Sequence, residues 1–327
     1  MTASTNQKIV VLGAGAWGMA FSTLLAHNGH NVTLWCYEEE VAREIAATRI
    51  NSRYLPGVTL SLNIHPEHDL RTALEGATLI FEAIPVAYMR SIFESMVTQV
   101  PAASNARWVF LSKGIEQKTF FLPSQICTDV FKKNITFAAL GGPNFASELV
   151  QCGLTATIIA SPDHLFAQEV ADVVRNEYFK PYLSNDPVGV HVGGALKNII
   201  ALAVGIAHGA GYNTHNTTAF LLTQGLNEMV QCAERFGAHS QTIYGLAGLG
   251  DMLLTCSSTL SKNMRVGMQL GQGVLLEEIQ AAMPALPEGI NTLQTLQALI
   301  KLWNVQVPLC QAAYATIFER KPFTINF

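Results

Sequence analysis

From residue 8 to about Asp186 the sequence alternates between two patterns, and after Asp186 one of them stops. Short apolar or β-branched runs occupy residues 8–12, 31–37, 78–83, 107–111, 135–140 and 155–160. Longer amphipathic segments, such as 17–28, 38–49 and 86–100, separate them. Strand, helix and strand repeated in this way need crossover connections, so the sheet should be mostly parallel with helices on both faces. Beyond Asp186 the segments 188–207, 217–236, 262–271, 275–283 and 291–301 read as helices, many ended by Gly or a Gly-containing loop. The expected architecture is therefore an α/β domain over 1–187 followed by an all-α domain over 188–327.

The first apolar run leads straight into Gly13-Ala14-Gly15-Ala16-Trp17-Gly18, a G-x-G-x-x-G turn with a strand before it and a helix after it. Gly13 permits the tight turn, Gly15 lets backbone approach a pyrophosphate, and Gly18 lets the helix pack on the strand. The N–H groups opening the helix then face the phosphates. In that context the motif makes the first domain Rossmann-like and the ligand NAD or NADP. The second strand ends at Tyr37-Glu38, about 20 residues on, where an acid can accept from both ribose hydroxyls and repel a 2′-phosphate. Glu38 tilts the reading toward NAD. It equally suits the acidic first turn Glu38-Glu39-Glu40 of the next helix, so both cofactors stay open.

Of the 327 residues, 49% are apolar and 13% charged, enough apolar surface for a large core. The net charge of −4 and the lack of a Lys/Arg-rich run argue against a nucleic-acid partner. An anionic substrate would have to be held by a few local cations. The polar start lacks a signal-peptide core, and the most apolar later run, 199–207, is far shorter than the ~20 residues a bilayer requires. No membrane span and a cytoplasmic location are expected. The six cysteines, at 36, 127, 152, 232, 256 and 310, form no C-x-x-C pair and read as buried free thiols in a reducing compartment. No His/Cys/Asp cluster with metal-ligand spacing occurs, so no metal is expected.

Chemistry concentrates in the second half. Gly193-Gly194-Ala195-Leu196-Lys197-Asn198 opens an apolar helix. Burial lowers a lysine pKa and lets its ammonium exchange a proton near neutral pH, which the reduction of a ketone requires. Lys197 either supplies that proton or snorkels to the surface. Lys113 follows the strand at 107–111, on the sheet edge where ligands bind. Asp251, in Gly248-Leu249-Gly250-Asp251, could pair with Lys197 and orient it. Ser261 is placed to cap a helix whose first turn holds Lys262 and Asn263. A cation there opposes the helix dipole, a conflict that a bound phosphate would remove; the alternative is a solvated lysine.

With those residues in place, the chain resembles the NAD(P)-dependent glycerol-3-phosphate dehydrogenase family along essentially its whole length. The markers are GAGAWG at 13–18, LSKGIE at 111–116, GGPNFASE at 141–148, GGALKNIIALAVGIAHGAGYNTHN at 193–216, GLAGLGDMLLTC at 245–256, LSKNMRVG at 260–267 and PEGINT at 287–292. The resemblance implies a homodimer that reduces dihydroxyacetone phosphate to sn-glycerol 3-phosphate for phospholipid synthesis. By matching position, Lys197 resembles the family's catalytic acid/base, with Lys113, Asn198, Asp251 and Thr255 around the carbonyl. Gly142, Ser261, Lys262 and Asn263 resemble its substrate contacts, the last group holding the phosphate. Ala16, Trp17, Tyr37, Lys113, Ala146, Lys262, Leu286 and Glu288 fall where the family touches the dinucleotide.

Some positions depart from the family pattern. Ala16 stands where bacterial members often carry Ser, and Lys262 where Arg is usual, so the bidentate fork is lost. Asn144 replaces a Ser or Thr in the substrate loop but can donate through its amide, and His208 replaces an acid. Tyr37-Glu38 replaces the His-Arg pattern of many NADP-using members. Two rival functions share the plan of a sheet domain followed by a helical domain. One is a β-hydroxyacid or 6-phosphogluconate dehydrogenase-like enzyme; the other is a non-catalytic dinucleotide sensor, which would have no use for Lys197, Lys113 and Asp251.

Overall fold

The structure is a computed structural model that describes residues 7–258, 260–283 and 286–325. The chain divides into two compact units. One comprises Met1–Ser112, Pro123–Leu140 and Asn144–Pro187; the other comprises Lys113–Leu122, Gly141–Pro143 and Val188–Phe327.

The first unit is built on eight strands among the described residues: β1 Ile9–Leu12, β2 Val32–Trp35, β3 Ile64–Glu67, β4 Leu79–Glu82, β5 Arg107–Phe110, β6 Phe137–Gly141, β7 Thr155–Ala160 and β8 Phe179–Ser184. They form one sheet in the order β3-β2-β1-β4-β5-β6-β7-β8. The pairs β1–β2, β1–β4, β2–β3, β4–β5, β5–β6 and β7–β8 run parallel. All four residues of β1 and of β4 are buried, as strands covered on both faces must be. On one face Phe21 of the helix Ala16–His27 packs on Phe81 at 5.0 Å and on Phe179 at 6.3 Å. On the other, Trp108 meets Phe93 at 5.4 Å. The chain runs outward through β1, β2 and β3, then restarts beside β1 with β4 and runs the other way. A crevice opens at the carboxyl ends of strands where such an order reverses.

The alternation in the sequence located six of these strands; β3 and β8 were not among them. Both are the outermost strands, and both contain proline, Pro66 and Pro181. Proline has no N–H for the ladder, so strands at an edge tolerate it while the sequence pattern is broken.

The second unit is helical; 188–325 holds no strand among the described residues. Its axis is the helix Pro187–Gly209, surrounded by His215–Arg235, Ser240–Tyr244, Asp251–Ser257, Lys262–Gly271, Leu276–Ala282, Glu288–Trp303 and Pro308–Phe318. The apolar run at 199–207 belongs to this 23-residue helix, which is long and apolar enough to cross a bilayer by length and composition. Its apolar window is wholly buried inside the protein, so it is a core helix. Five of the cysteines are buried and free as expected, but Cys152 is exposed.

Two features fix the helices around that axis. Ideal Cβ atoms at Gly205 and Gly209 would collide with the backbone of Met264 and Met268 and lie 3.0 Å from the Cα of Gly267 and of Gly271. The helix Lys262–Gly271 therefore rides directly on the backbone of the central helix. Glu228 is wholly buried and accepts from the Leu309 N–H at 2.7 Å, the Cys310 N–H at 2.9 Å and Gln224 Nε2 at 2.9 Å. It thereby satisfies the otherwise unpaired donors that open the helix Pro308–Phe318.

Candidate active site

The helical unit gathers two lysines onto one carboxylate. A π-helical turn, Leu246–Gly250, delivers Asp251 to the start of its helix. That turn approaches the central helix at Gly193, where a Cβ would stand 2.6 Å from the Ala247 carbonyl oxygen. The next glycine, Gly194, lies beneath the Lys113 stem, with Cγ 3.1 Å from an ideal Cβ. The Gly-Gly pair thus admits a turn on one side and a lysine on the other.

Lys197 Nζ donates to Asp251 Oδ1 at 2.5 Å and to Thr255 Oγ1 at 2.7 Å. The Thr255 hydroxyl donates to the Asp251 carbonyl at 2.7 Å, which leaves its lone pair facing the ammonium. Lys113 Nζ donates to the other carboxylate oxygen, Oδ2, at 2.6 Å. Asp251 is wholly buried, and Lys197 is 6% exposed. The snorkelling alternative for Lys197 is therefore excluded, and two of its three N–H donors are engaged. Burial pulls the Lys197 pKa down to about 8; Asp251 opposes that fall and the Lys113 charge adds to it. An amino group poised there can give up a proton as the ammonium or take one as the free amine near neutral pH.

Beside this cluster, Ser261 caps the helix Lys262–Gly271, its Oγ accepting from the Met264 N–H at 3.2 Å. Lys262 is exposed at the first position of that helix, and Asn263 is buried at the second. Asn263 Nδ2 donates to Asn198 Oδ1 at 3.0 Å. Leu286 packs against the helical core, and Glu288 opens the helix Glu288–Trp303. Burial raises the Glu288 carboxyl to about 7, while Lys113, Lys197 and Lys262 act to lower it. Gly142, in a segment of the same unit, has φ 151°, a value that favours glycine.

Three features of this unit were missed in the sequence. The amide pair Asn198–Asn263 joins positions far apart in the chain. Glu288 feels the charges of Lys113, Lys197 and Lys262 as well as falling at a nucleotide position. His191, buried on the central helix, is driven by burial to about 3 and stays neutral.

In the sheet unit, Gly13 has φ 113° and its ideal Cβ would sit 2.8 Å from the Ala83 carbonyl oxygen, so the turn after β1 lies against the end of β4. Gly15 precedes the helix Ala16–His27 with no side-chain cap, and a Cβ there would meet nothing within 4 Å. Uncapped N–H groups in front of open space fit a dinucleotide pyrophosphate. Ala16 and Trp17 form the first turn, with the Trp17 ring 5.9 Å from Phe21. Tyr37 is 66% exposed. Glu38 accepts from the Tyr54 hydroxyl at 2.6 Å and lies 3.7 Å from Arg53 Nη1, so part of its capacity is already used. Ala146 opens the short helix Ala146–Leu149. Asn144 Nδ2 donates to Thr157 Oγ1 at 3.3 Å, an intraprotein bond where a substrate bond was expected.

Sequence reading also overlooked Glu82, a buried acid at the end of β4. Its carboxylate accepts from the Ile84 N–H at 2.5 Å and from Ser112 Oγ at 2.5 Å, tying the ends of β4 and β5 together. An acid closing the otherwise apolar run Leu79–Glu82 was the available signal.

Comparisons with known proteins point to one family. Residues 8–167 match the family model of the NAD-dependent glycerol-3-phosphate dehydrogenase N-terminus, and residues 186–325 that of its C-terminus. A glycerol-3-phosphate dehydrogenase [NAD(P)+] of Trichlorobacter lovleyi is 41% identical over 318 residues, spanning 96% of this chain and 94% of the relative. The Geobacter metallireducens enzyme of the same name is 40% identical over 319 residues, spanning 97% and 94%. The crystal structure of glycerol-3-phosphate dehydrogenase from Coxiella burnetii superposes with a TM-score of 0.91 at 32% identity, covering 97% of this chain and 96% of that one. A Rossmann-like sheet unit, a helical unit with a lysine–aspartate cluster, and matches along both halves place the chain in the NAD(P)-dependent glycerol-3-phosphate dehydrogenase family.

Proposed function

We propose that this chain reduces dihydroxyacetone phosphate to sn-glycerol 3-phosphate, with Lys197 as the acid/base. The observation that carries this reading is the buried Lys197 ammonium, held by Asp251 and Thr255 with one N–H left over. When bound, the reduced nicotinamide supplies a hydride. Of the expected domains, 1–187 holds the nucleotide, with Gly13, Gly15 and Gly18 shaping its pyrophosphate turn, and 188–327, joined by Lys113–Leu122 and Gly141–Pro143, forms the substrate domain. The carbonyl oxygen takes its proton from Lys197 as charge develops there. Lys113 stabilises that charge, and Asp251 keeps both lysines in register. The phosphate docks at Ser261-Lys262-Asn263. Gly142, Asn144 and Asn198 complete the substrate contacts, and Ala146, Leu286 and Glu288 those of the nucleotide. The product feeds phospholipid synthesis in the cytoplasm, and the working form is a homodimer.

Initial rates with dihydroxyacetone phosphate and NADH or NADPH test the reading directly. NADH should be preferred modestly, because the Glu38 carboxylate opposes a 2′-phosphate. Turnover of a β-hydroxy acid in place of the triose would overturn the substrate assignment, and tight NADH binding without turnover would point to a sensor.

The pH dependence should carry the Lys197 signature. Reduction needs the ammonium, so its rate should fall as pH rises through about 8. Oxidation of glycerol 3-phosphate needs the free amine, so its rate should rise through the same value. Parallel profiles in the two directions would remove Lys197 as the proton carrier.

Lys262→Ala should chiefly raise KM for dihydroxyacetone phosphate, roughly 10–100-fold, the usual worth of a charge-assisted contact, with a much smaller effect on the Kd of NADH. A loss confined to NADH affinity would show that Lys262 serves the nucleotide and not the phosphate.

A further inference from the structure

Three hydrogen bonds beside the lysine cluster run in one direction. The Gly289 N–H donates to Asn263 Oδ1 at 3.1 Å. Asn263 Nδ2 donates to Asn198 Oδ1 at 3.0 Å, and Asn198 Nδ2 donates to the Gly194 carbonyl at 3.4 Å. Both amides are buried, 8% and 7% exposed.

The two ends of this relay are backbone groups, and neither can reverse its role: an N–H only donates and a carbonyl only accepts. A free asparagine amide can exchange its oxygen and nitrogen ends. Here a flip of Asn263 would set its NH2 against the Gly289 N–H. A flip of Asn198 would set its NH2 against that of Asn263 and its oxygen against the Gly194 carbonyl. The backbone therefore dictates the orientation of both side chains. Each amide oxygen is already an acceptor within the relay, and each NH2 keeps one hydrogen outside it. The relay fixes which end of each amide is the donor, and one N–H of each is left for a ligand. A group with acceptors only, such as a phosphate, suits that polarity.

Glycine is needed where the relay starts. An ideal Cβ at residue 289 would overlap Asn263 Oδ1 and stand 2.8 Å from the Asn198 carbonyl oxygen. Any side chain would push the Glu288–Trp303 helix off Asn263 and release the amide. We propose that Gly289 is a positioning residue for the substrate phosphate: through Asn263 and Asn198 it presets two amide donors before the anion arrives. This rests on the reading that the phosphate binds at Ser261-Lys262-Asn263.

The experiment compares dihydroxyacetone phosphate with dihydroxyacetone, which lacks the phosphate. Gly289→Ala should raise KM for the phosphate-bearing substrate roughly 10–100-fold and weaken competitive inhibition by inorganic phosphate equally. The kcat/KM for dihydroxyacetone should stay as in the wild type, and any change in the Kd of NADH should be far smaller than the rise in KM for dihydroxyacetone phosphate. In an Asn263→Ala background most of the Gly289→Ala effect should vanish, because the two residues act as one unit. Should Gly289→Ala not fold, as a melting curve would reveal, Asn198→Ala removes the second amide, and its loss on dihydroxyacetone phosphate should exceed its loss on dihydroxyacetone. Equal losses on both substrates, or full additivity with Asn263→Ala, would overturn the positioning role. Wild-type protein that does not turn over dihydroxyacetone phosphate would bring down the underlying functional reading. Turnover that Gly289→Ala leaves intact removes only the role given to Gly289.

Discussion

Lys197→Ala should lower kcat for dihydroxyacetone phosphate reduction by about 10²–10⁴-fold, the range expected when a positioned general acid is removed. The Kd of NADH should hardly move, because the pyrophosphate turn at Gly13–Gly18 belongs to the sheet unit and shares no residue with the lysine cluster. Asp251 keeps Lys113 as a partner in this variant, so the carboxylate is not left unpaired. Lys197→Arg separates two roles that alanine merges. Arginine keeps the positive charge but does not release a proton near neutral pH. If proton donation is the main contribution, arginine should be nearly as slow as alanine, and the downturn near pH 8 should disappear from its profile. Steady-state rates and fluorescence titration with NADH check both statements. An arginine variant with most of its turnover intact would recast Lys197 as an electrostatic stabiliser.

How far that site could be read in advance depended on where its parts lie along the chain. Lys197 and Asp251 stood out because each sits in a local glycine context that makes a charged side chain unusual. Gly193 and Gly194 precede the lysine, and Gly248 and Gly250 flank the approach to the aspartate. The nucleotide turn was legible for the same reason, since Gly13, Gly15 and Gly18 follow a run of four buried apolar residues. The amide relay had no such signature. Gly194, Asn198, Asn263 and Gly289 come from three helices, and nothing in their immediate neighbours marks them as partners. The π-helical turn leaves no mark in the sequence, because its composition, Leu-Ala-Gly-Leu-Gly, carries no helical periodicity. The edge strands failed for a chemical reason: Pro66 and Pro181 interrupt the alternation where the sheet no longer needs every N–H.

The relay and the lysine cluster share a design rule. In each, a group that cannot change its role fixes others that can. Backbone N–H and C=O set the Asn263 and Asn198 amides, and the Thr255 hydroxyl is aimed by the Asp251 carbonyl, so it must accept from Lys197. Such preset polarity removes reorganisation from the moment of reaction, which is where electrostatic catalysis gains most. The close seating of Gly205 on Gly267 and of Gly209 on Gly271 serves the same end, because it sets the helix bearing Lys262 and Asn263 against the helix bearing Lys197 and Asn198.

The central carboxylate should also matter to folding. Asp251→Ala leaves two lysines, one almost fully buried, without their common partner, and removing one member of a buried ion pair typically costs about 3–5 kcal/mol. The loss should depend on pH in a definite direction. Lys197 already has a folded pKa of about 8 against an ordinary value of 10.5. Between those values the unfolded chain binds more protons than the fold, so raising the pH favours the native state. Without Asp251 the Lys197 pKa should fall further, since the carboxylate is what holds it up. The destabilisation should then be largest at low pH, where the ammonium is charged and unpaired. It should shrink as the pH rises and Lys197 gives up its proton. Urea midpoints for both proteins at about pH 6 and about pH 9.5 test this, because a midpoint shift at constant slope reports stability alone. A variant as stable as the wild type, or a deficit equal at both pH values, would show that Asp251 does not hold a charged Lys197 in the fold.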